Sequence, residues 1–169
     1  LWVMGAYNGL VRLRNGVKEA WAQIDVVLKR RHDLIPNLVE TAKGYMTHER
    51  DTLENITKAR NLAQGAQGVG DQAKAEGQLS QALSNFYVVV ENYPDLKANT
   101  NFLQLQGELT NTENGISSMR QGYNDSVLQL NNKVEMFPSN IIAGMFNFDK
   151  ADFFEIVDEA EREVPKVSF

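Results

Sequence analysis

The sequence predicts an all-α protein: an elongated antiparallel four-helix bundle, with a short C-terminal helix and an aromatic tail packed on it. Three observations lead there. Apolar residues recur at seven-residue intervals over two long stretches, 10–42 and 102–137. That interval keeps them on one stripe of a helix and leaves charge to the other faces. Glycine and proline clusters near 44, 65–70, 94 and 138 cut the chain into helix-sized pieces. No segment reads as a strand that would survive in a sheet.

The first helix is predicted from near Tyr7 to about Lys43. Its seam combines Leu10, Val17, Ile24 and Leu38 with Trp21, Leu28, Ile35 and Ala42. Pro36 lacks an N–H and crowds the carbonyl of His32, which predicts a kink rather than a stop, because the seam keeps its phase beyond it. Gly44 and the polar run 47–52 interrupt that seam. Thr47 is a candidate N-cap for a second helix to Ala63, seamed by Leu53, Ile56 and Leu62. A single helix over 7–63 is the alternative; at ~1.5 Å per residue it would reach about 85 Å.

Residues 65–70 read as a loop. Three glycines there suggest a phosphate cradle, but no Lys-Ser/Thr pair follows. Asp71 is the candidate N-cap of a third helix to about Asn92, with Leu79, Leu83, Phe86, Val90 and Tyr93 on its apolar face. Pro94 breaks the chain, and a fourth helix is predicted from Asp95 to Met136. Its repeat is Phe102, Leu109, Ile116, Tyr123, Leu130 and Phe137, widened by Leu105, Met119, Val127 and Val134. The first and fourth helices are matched in predicted length, about 55 and 60 Å. They are expected to pack along each other, with the second and third as a hairpin. After Pro138 comes a short helix, Ser139 to Phe146. Phe146, Phe148, Phe153, Phe154 and Phe169 then require burial, so the tail is expected to fold back and close the core. An exposed patch for a partner or membrane is the other reading.

The length of 169 residues suits one domain, here 7–169. The net charge of −5 hides an asymmetry, with +4 over residues 1–31 and −4 over 146–169. An acidic whole argues against nucleic acid as a partner. Leu1, Trp2, Val3, Met4 and Ala6 form an apolar run far shorter than a bilayer span. Residues 1–6 are expected to be the end of an N-terminal transmembrane helix, with a cleaved signal peptide as the rival reading. Arg12, Arg14 and Lys18 follow at once and would hold the domain on the cytoplasmic side.

Catalytic chemistry finds little support. There is no cysteine, and His32 and His48 are the only histidines. Neither is preceded by Glu at three residues, and neither forms an H-E-x-x-H pattern, so no metal, cofactor or catalytic residue is assigned. His32 reads as a satisfied, half-buried helix residue and His48 as solvent-exposed. Arg31 falls where the first seam wants an apolar side chain, so it must pair or snorkel. Glu91, Glu108 and Glu113 are its expected partners, in an ion pair that sets helix register. The fourth helix is rich in Asn (Asn111, Asn114, Asn124, Asn131, Asn132), which reads as a solvated face or as a polar groove for a peptide.

The first helix carries EAWAQIDVVLKRRHDLIPNLVET at 19–41. With KGYMTHERDTLENITKAR at 43–60, ENYPDLKANTNFLQLQGELTNTENGI at 91–116, FPSNIIAGMFNF at 137–148 and PKVSF at 165–169, it resembles the LemA family of bacterial membrane-anchored helical proteins. Two positions depart from that pattern: Gly115 stands where Arg is expected, and Asn147 where Gly is usual. The resemblance implies a membrane helix at the N-terminus and no established activity. The expected function is therefore a non-enzymatic, membrane-tethered module that binds a protein partner. Its interaction stripe would be Lys29, Arg30, Asp33, Asn37 and Glu40, and its oligomeric state stays open. Direct action on the bilayer through the basic first helix is the alternative.

Overall fold

In a computed structural model, residues 1–156 are described. The block 165–169 and Phe169 lie outside them. Among the described residues there are six helices and no strand. They are α1 (Trp2–Lys43), α2 (Arg50–Gly65), α3 (Val69–Val90), α4 (Pro94–Lys97), α5 (Thr100–Glu135) and α6 (Ser139–Met145).

Helix α1 begins five residues earlier than its seam predicts and runs through Pro36 unbroken. It ends at Lys43, where Tyr45 and Met46 both donate to the carbonyl of Ala42. The break at 44–49 excludes one helix over 7–63. Helix α2 starts after Glu49, not at Thr47, and no side chain caps it. Its seam is Leu53, Ile56, Ala59 and Ala63; Leu62 is 60% exposed, against expectation. Gly68, at φ 82°, precedes α3 in the place anticipated for Asp71.

The predicted fourth helix is in fact two. Asn99 divides α4 from α5, its Oδ1 accepting from the N–H of Phe102 at 3.0 Å. This is the N-cap bond to the third helical residue, and it makes Asn99 the true start signal. Phe102, Leu109, Ile116, Tyr123 and Leu130 are buried as the repeat requires. Phe137 is not, because α5 stops at Glu135 and the next turn starts around Pro138. The peptide bond between Phe137 and Pro138 is cis.

The chain divides into two compact units. The first contains Leu1–Leu28 and Glu113–Phe154. Within it, α1 and α5 run antiparallel: Trp21 meets Tyr123 at a tilt, 5.4 Å between ring centroids, and Gly115 faces Val27. Helix α6 closes with Asn147 at φ 56° and the N–H of Phe148 donating to the carbonyl of Ala143 at 2.9 Å. That six-residue bond around a left-handed residue is a Schellman ending. The segment from Asp149 to Phe154 is then extended and lies on α5.

This segment is held by amide side chains. Asn131 donates to the carbonyl of Ala151 at 3.1 Å and accepts from its N–H at 2.8 Å. Asn124, one heptad earlier, does the same for Phe154. Tyr123 donates to the carbonyl of Asp152 at 2.8 Å. Its burial, then the negative charge of Asp152, push the phenol up to about 12. Phe154 is fully buried against Trp21, and Phe148 lies under Arg14, while Phe146 and Phe153 remain partly exposed. Of the Asn residues on this helix, Asn124 and Asn131 thus hold the chain's own main chain, while Asn111, Asn114 and Asn132 are exposed.

The second unit is built on Lys29–Thr112. Helices α2 and α3 form the expected hairpin. Ile35, Leu38, Ile56, Leu79, Phe86 and Phe102 lie at the centre of its apolar core. Ala59 and Ala63 allow α2 to approach α3 closely, which is why small residues and not Leu62 occupy that line.

Candidate functional site

The second unit encloses a polar cluster. Arg31 and His32 of α1, and Glu76 of α3, are all nearly or wholly removed from solvent. Glu76 Oε1 is hydrogen-bonded to His32 Nε2 and accepts from Gln72 Nε2 at 2.8 Å. Its other oxygen lies 3.9 Å from Arg31 Nε. Arg31 also donates to Ser80 Oγ at 2.7 Å and to the carbonyl of Glu76 at 3.4 Å. Gln72, Glu76 and Ser80 are spaced by four residues, so they share one face of α3. The hairpin partner joins as well. Arg60 of α2 donates to the carbonyl of His32 at 2.9 Å, and Gln72 donates to the carbonyl of Ala63 at 2.9 Å.

The cluster follows from two matching irregularities. Arg31 continues the series Leu10, Val17, Ile24, and Glu76 precedes Leu83 and Val90 at the same interval. Each seam carries one charge among apolar residues, and the two charges meet. A buried carboxylate is tolerable only with a cation and hydrogen bonds around it. Arg31, His32 and Gln72 supply them. The arrangement binds three helices; it presents no nucleophile beside the imidazole.

An ion pair at Arg31 was expected with Glu91, Glu108 or Glu113, and the carboxylate found beside it is a correction. Arg31 is set against Glu76, not against Glu91, Glu108 or Glu113. Glu91 pairs with Lys97 at 2.6 Å, Glu108 lies 3.9 Å from Arg30, and Glu113 is exposed. His32 is more deeply buried than a half-buried helix residue, and His48 is exposed. Lys29, Arg30, Asp33, Asn37 and Glu40 are all exposed on one side of α1, with Glu40 3.0 Å from Lys43. Among the described residues, no three His, Cys, Asp or Glu side chains gather in a way that could hold a metal ion. None of the helices among them is long and apolar enough to cross a membrane.

The model of the LemA family matches residues 20–169. The chain belongs to the LemA family. It is 27% identical over 160 residues to Protein LemA of Metamycoplasma hominis, covering 94% of this chain and 73% of that protein. It is 22% identical over 175 residues to Magnetosome protein MamQ 2 of Paramagnetospirillum magneticum. It is 21% identical over 174 residues to Magnetosome protein MamQ of Magnetospirillum gryphiswaldense. Each of these two alignments covers 88% of this chain but only 64% of the MamQ protein.

Membership of the LemA family gives the two departures a structural meaning. Asn147 takes the left-handed conformation that glycine adopts most easily, and Asn is the side chain that tolerates it best. Gly115 leaves a Cβ-sized space, in which a methyl group would sit 3.6 Å from Val27 Cγ1.

Proposed function

We propose that this LemA-family chain is a membrane-associated helical recognition module with no enzymatic chemistry of its own. Its kinship with Protein LemA and the magnetosome MamQ proteins favours the membrane setting. The observation that carries the recognition reading is the outer side of α1. Lys29, Arg30, Asp33, Asn37 and Glu40 recur at helical spacing, and all are exposed. They form a stripe of mixed charge about 16 Å long, suited to pairing with a polar helix or peptide of complementary charge. The Arg31–Glu76–His32 cluster stiffens the inner side of the same turns, so the stripe is presented on a rigid support. Attachment lies at the N-terminal side of α1, where Arg12, Arg14 and Lys18 favour the cytoplasmic leaflet.

The test is site-specific photo-crosslinking at position 30 of the membrane-bound protein in cells, paired with the Arg30→Glu/Asp33→Arg variant. A discrete protein captured by the first, and lost from co-purification with the second, supports the module. Crosslinks to lipid alone favour the second reading, direct association of the basic start of α1 with the bilayer. That reading is favoured by the exposed apolar residues Trp2, Val3 and Met4 immediately before those cations.

A further inference from the structure

The first unit ends in an apolar cap. Met136, Phe137, Ile141, Met145 and Phe146 are 47–77% exposed. Ile141 and Met145 lie four residues apart on α6 and share a face, with Phe137 immediately before that helix. Soluble surfaces scatter such side chains singly; a contiguous group marks a contact.

The cap continues onto the start of α1. A cavity of about 670 Å³ lies between Trp2, Ala6 and Leu13 on one side and Met136, Phe137 and Pro138 on the other. Further round, Tyr7 meets Phe146 edge-on at 4.9 Å. The end therefore combines aliphatic side chains with Trp, Tyr and Phe. This is the mixture that settles at the boundary between headgroups and acyl chains.

Charge decides between occupants. Arg14 of α1 lies over the Phe148 ring at 4.7 Å, Arg12 and Lys18 flank it along that helix, and Lys133 of α5 lines the cavity. The first acidic residue of the chain is Glu19. Glu135, at the edge of the cap, is bound to Lys150 at 2.7 Å. Asp149, next to Phe148, is exposed, so the acids of this end are Glu135 and Asp149 against Arg12, Arg14, Lys18, Lys133 and Lys150; an apolar surface in such a cation excess suits anionic lipid. A second copy of this chain would bring two such excesses together, and like charges oppose that contact.

We propose that the cap formed by Phe137, Ile141, Met145 and Phe146 seats in the headgroup–acyl boundary of an anionic bilayer. It thereby extends lipid contact from the start of α1 onto the end of α5 and α6. The proposal rests on the membrane-associated reading and names the atoms that meet lipid. It orients the first unit, because a broad contact shared by α1, the end of α5 and α6 resists the tilting that a single tether permits.

The absence of cysteine makes the test direct. Met145→Cys is labelled with the environment-sensitive dye NBD, and Val88→Cys, on α3 and 70% exposed, serves as the control. Both are mixed with phosphatidylglycerol/phosphatidylethanolamine vesicles and with phosphatidylcholine vesicles. The expected result is a several-fold, blue-shifted gain at position 145 on the anionic vesicles only, and none at position 88. Phe137→Gln/Ile141→Gln in the same labelled chain is expected to weaken partition at least tenfold, with the helical circular dichroism and melting curve unchanged. Vesicle binding with position 145 still in water overturns the cap while leaving membrane association intact. Absence of vesicle binding overturns the cap, and with it direct lipid contact by this chain. A gain at 145 that grows with protein concentration and needs no vesicles assigns the cap to self-association and also overturns it.

Discussion

Asn124 grips Phe154 by both of its main-chain polar groups, accepting from the N–H at 2.8 Å and donating to the carbonyl at 3.1 Å. One side-chain amide stands in for the partner strand that an extended segment would otherwise need. Asn131 repeats the device on Ala151 seven residues along, so α5 carries two clasps at heptad spacing. Loss of either frees two main-chain groups at once.

Asn124→Ala is therefore expected to cost about 2 kcal/mol, the sum of two ordinary hydrogen bonds. Asn124→Asp keeps the acceptor and loses the donor, so its cost falls between wild type and alanine. Urea denaturation measures both. Amide exchange at Phe154 should accelerate in the alanine variant before global unfolding does; equal protection there would show that Phe154's side chain alone holds the tail.

Glu76→Leu leaves Arg31 buried without its carboxylate and should cost about 3–5 kcal/mol. Arg31→Met/Glu76→Leu removes both charges and should recover at least half of that loss. A double-mutant cycle by chemical denaturation gives the coupling. Additive losses would mean that Arg31 is satisfied without Glu76.

Asn147 offers a backbone test. Asn147→Val forces a β-branched residue into φ 56° and is expected to cost about 1–2 kcal/mol. Asn147→Gly should be neutral within a few tenths of a kcal/mol. Thermal melts of the two variants separate conformational strain from loss of a side-chain contact.

Tyr123 gives a pH dependence with a definite sign. Burial and Asp152 raise its phenol from 10.0 to about 12, so between those values the unfolded chain has lost a proton that the folded chain keeps. Stability present below pH 10 should fall as pH rises towards 12. Tyr123→Phe should flatten that segment of the denaturation profile. Spectrophotometric titration should show one tyrosinate fewer appearing above pH 11.

Gly115→Ala should stabilise the protein by up to about 1 kcal/mol, because the new methyl enters ordinary van der Waals distance of Val27 and the helix loses a flexible residue. A lower melting temperature would mean that Val27 does not yield the space.

The seams were legible because they are periodic. Leu10, Ile24, Leu38, Phe102 and Tyr123 are buried where their intervals place them. Arg31 was legible as an intruder on its seam. Glu76 was missed, although its spacing to Leu83 and Val90 carries the same signal, because a carboxylate among Ala, Lys and Gln reads as surface. Leu62 misled for the opposite reason: bulk suggests core, yet the close approach of α2 to α3 selects Ala59 and Ala63. The role of Asn124 and Asn131 could not be read from α5 alone. A clasp is defined by what enters it, and the entering residues are twenty and thirty positions away along the chain. Asn99 was readable as a cap, but with no Gly or Pro between Pro94 and Phe102 nothing else marked the break.

The clasps on α5 recognise main chain and are indifferent to side chains. Between Asp149 and Asp152, the identity of each residue is therefore loosely constrained, while the count of residues is not. Substitutions should accumulate there without penalty, whereas inserting or deleting a single residue would move Phe154 out of its socket. The tail works as a ruler, and length is the property selection can see.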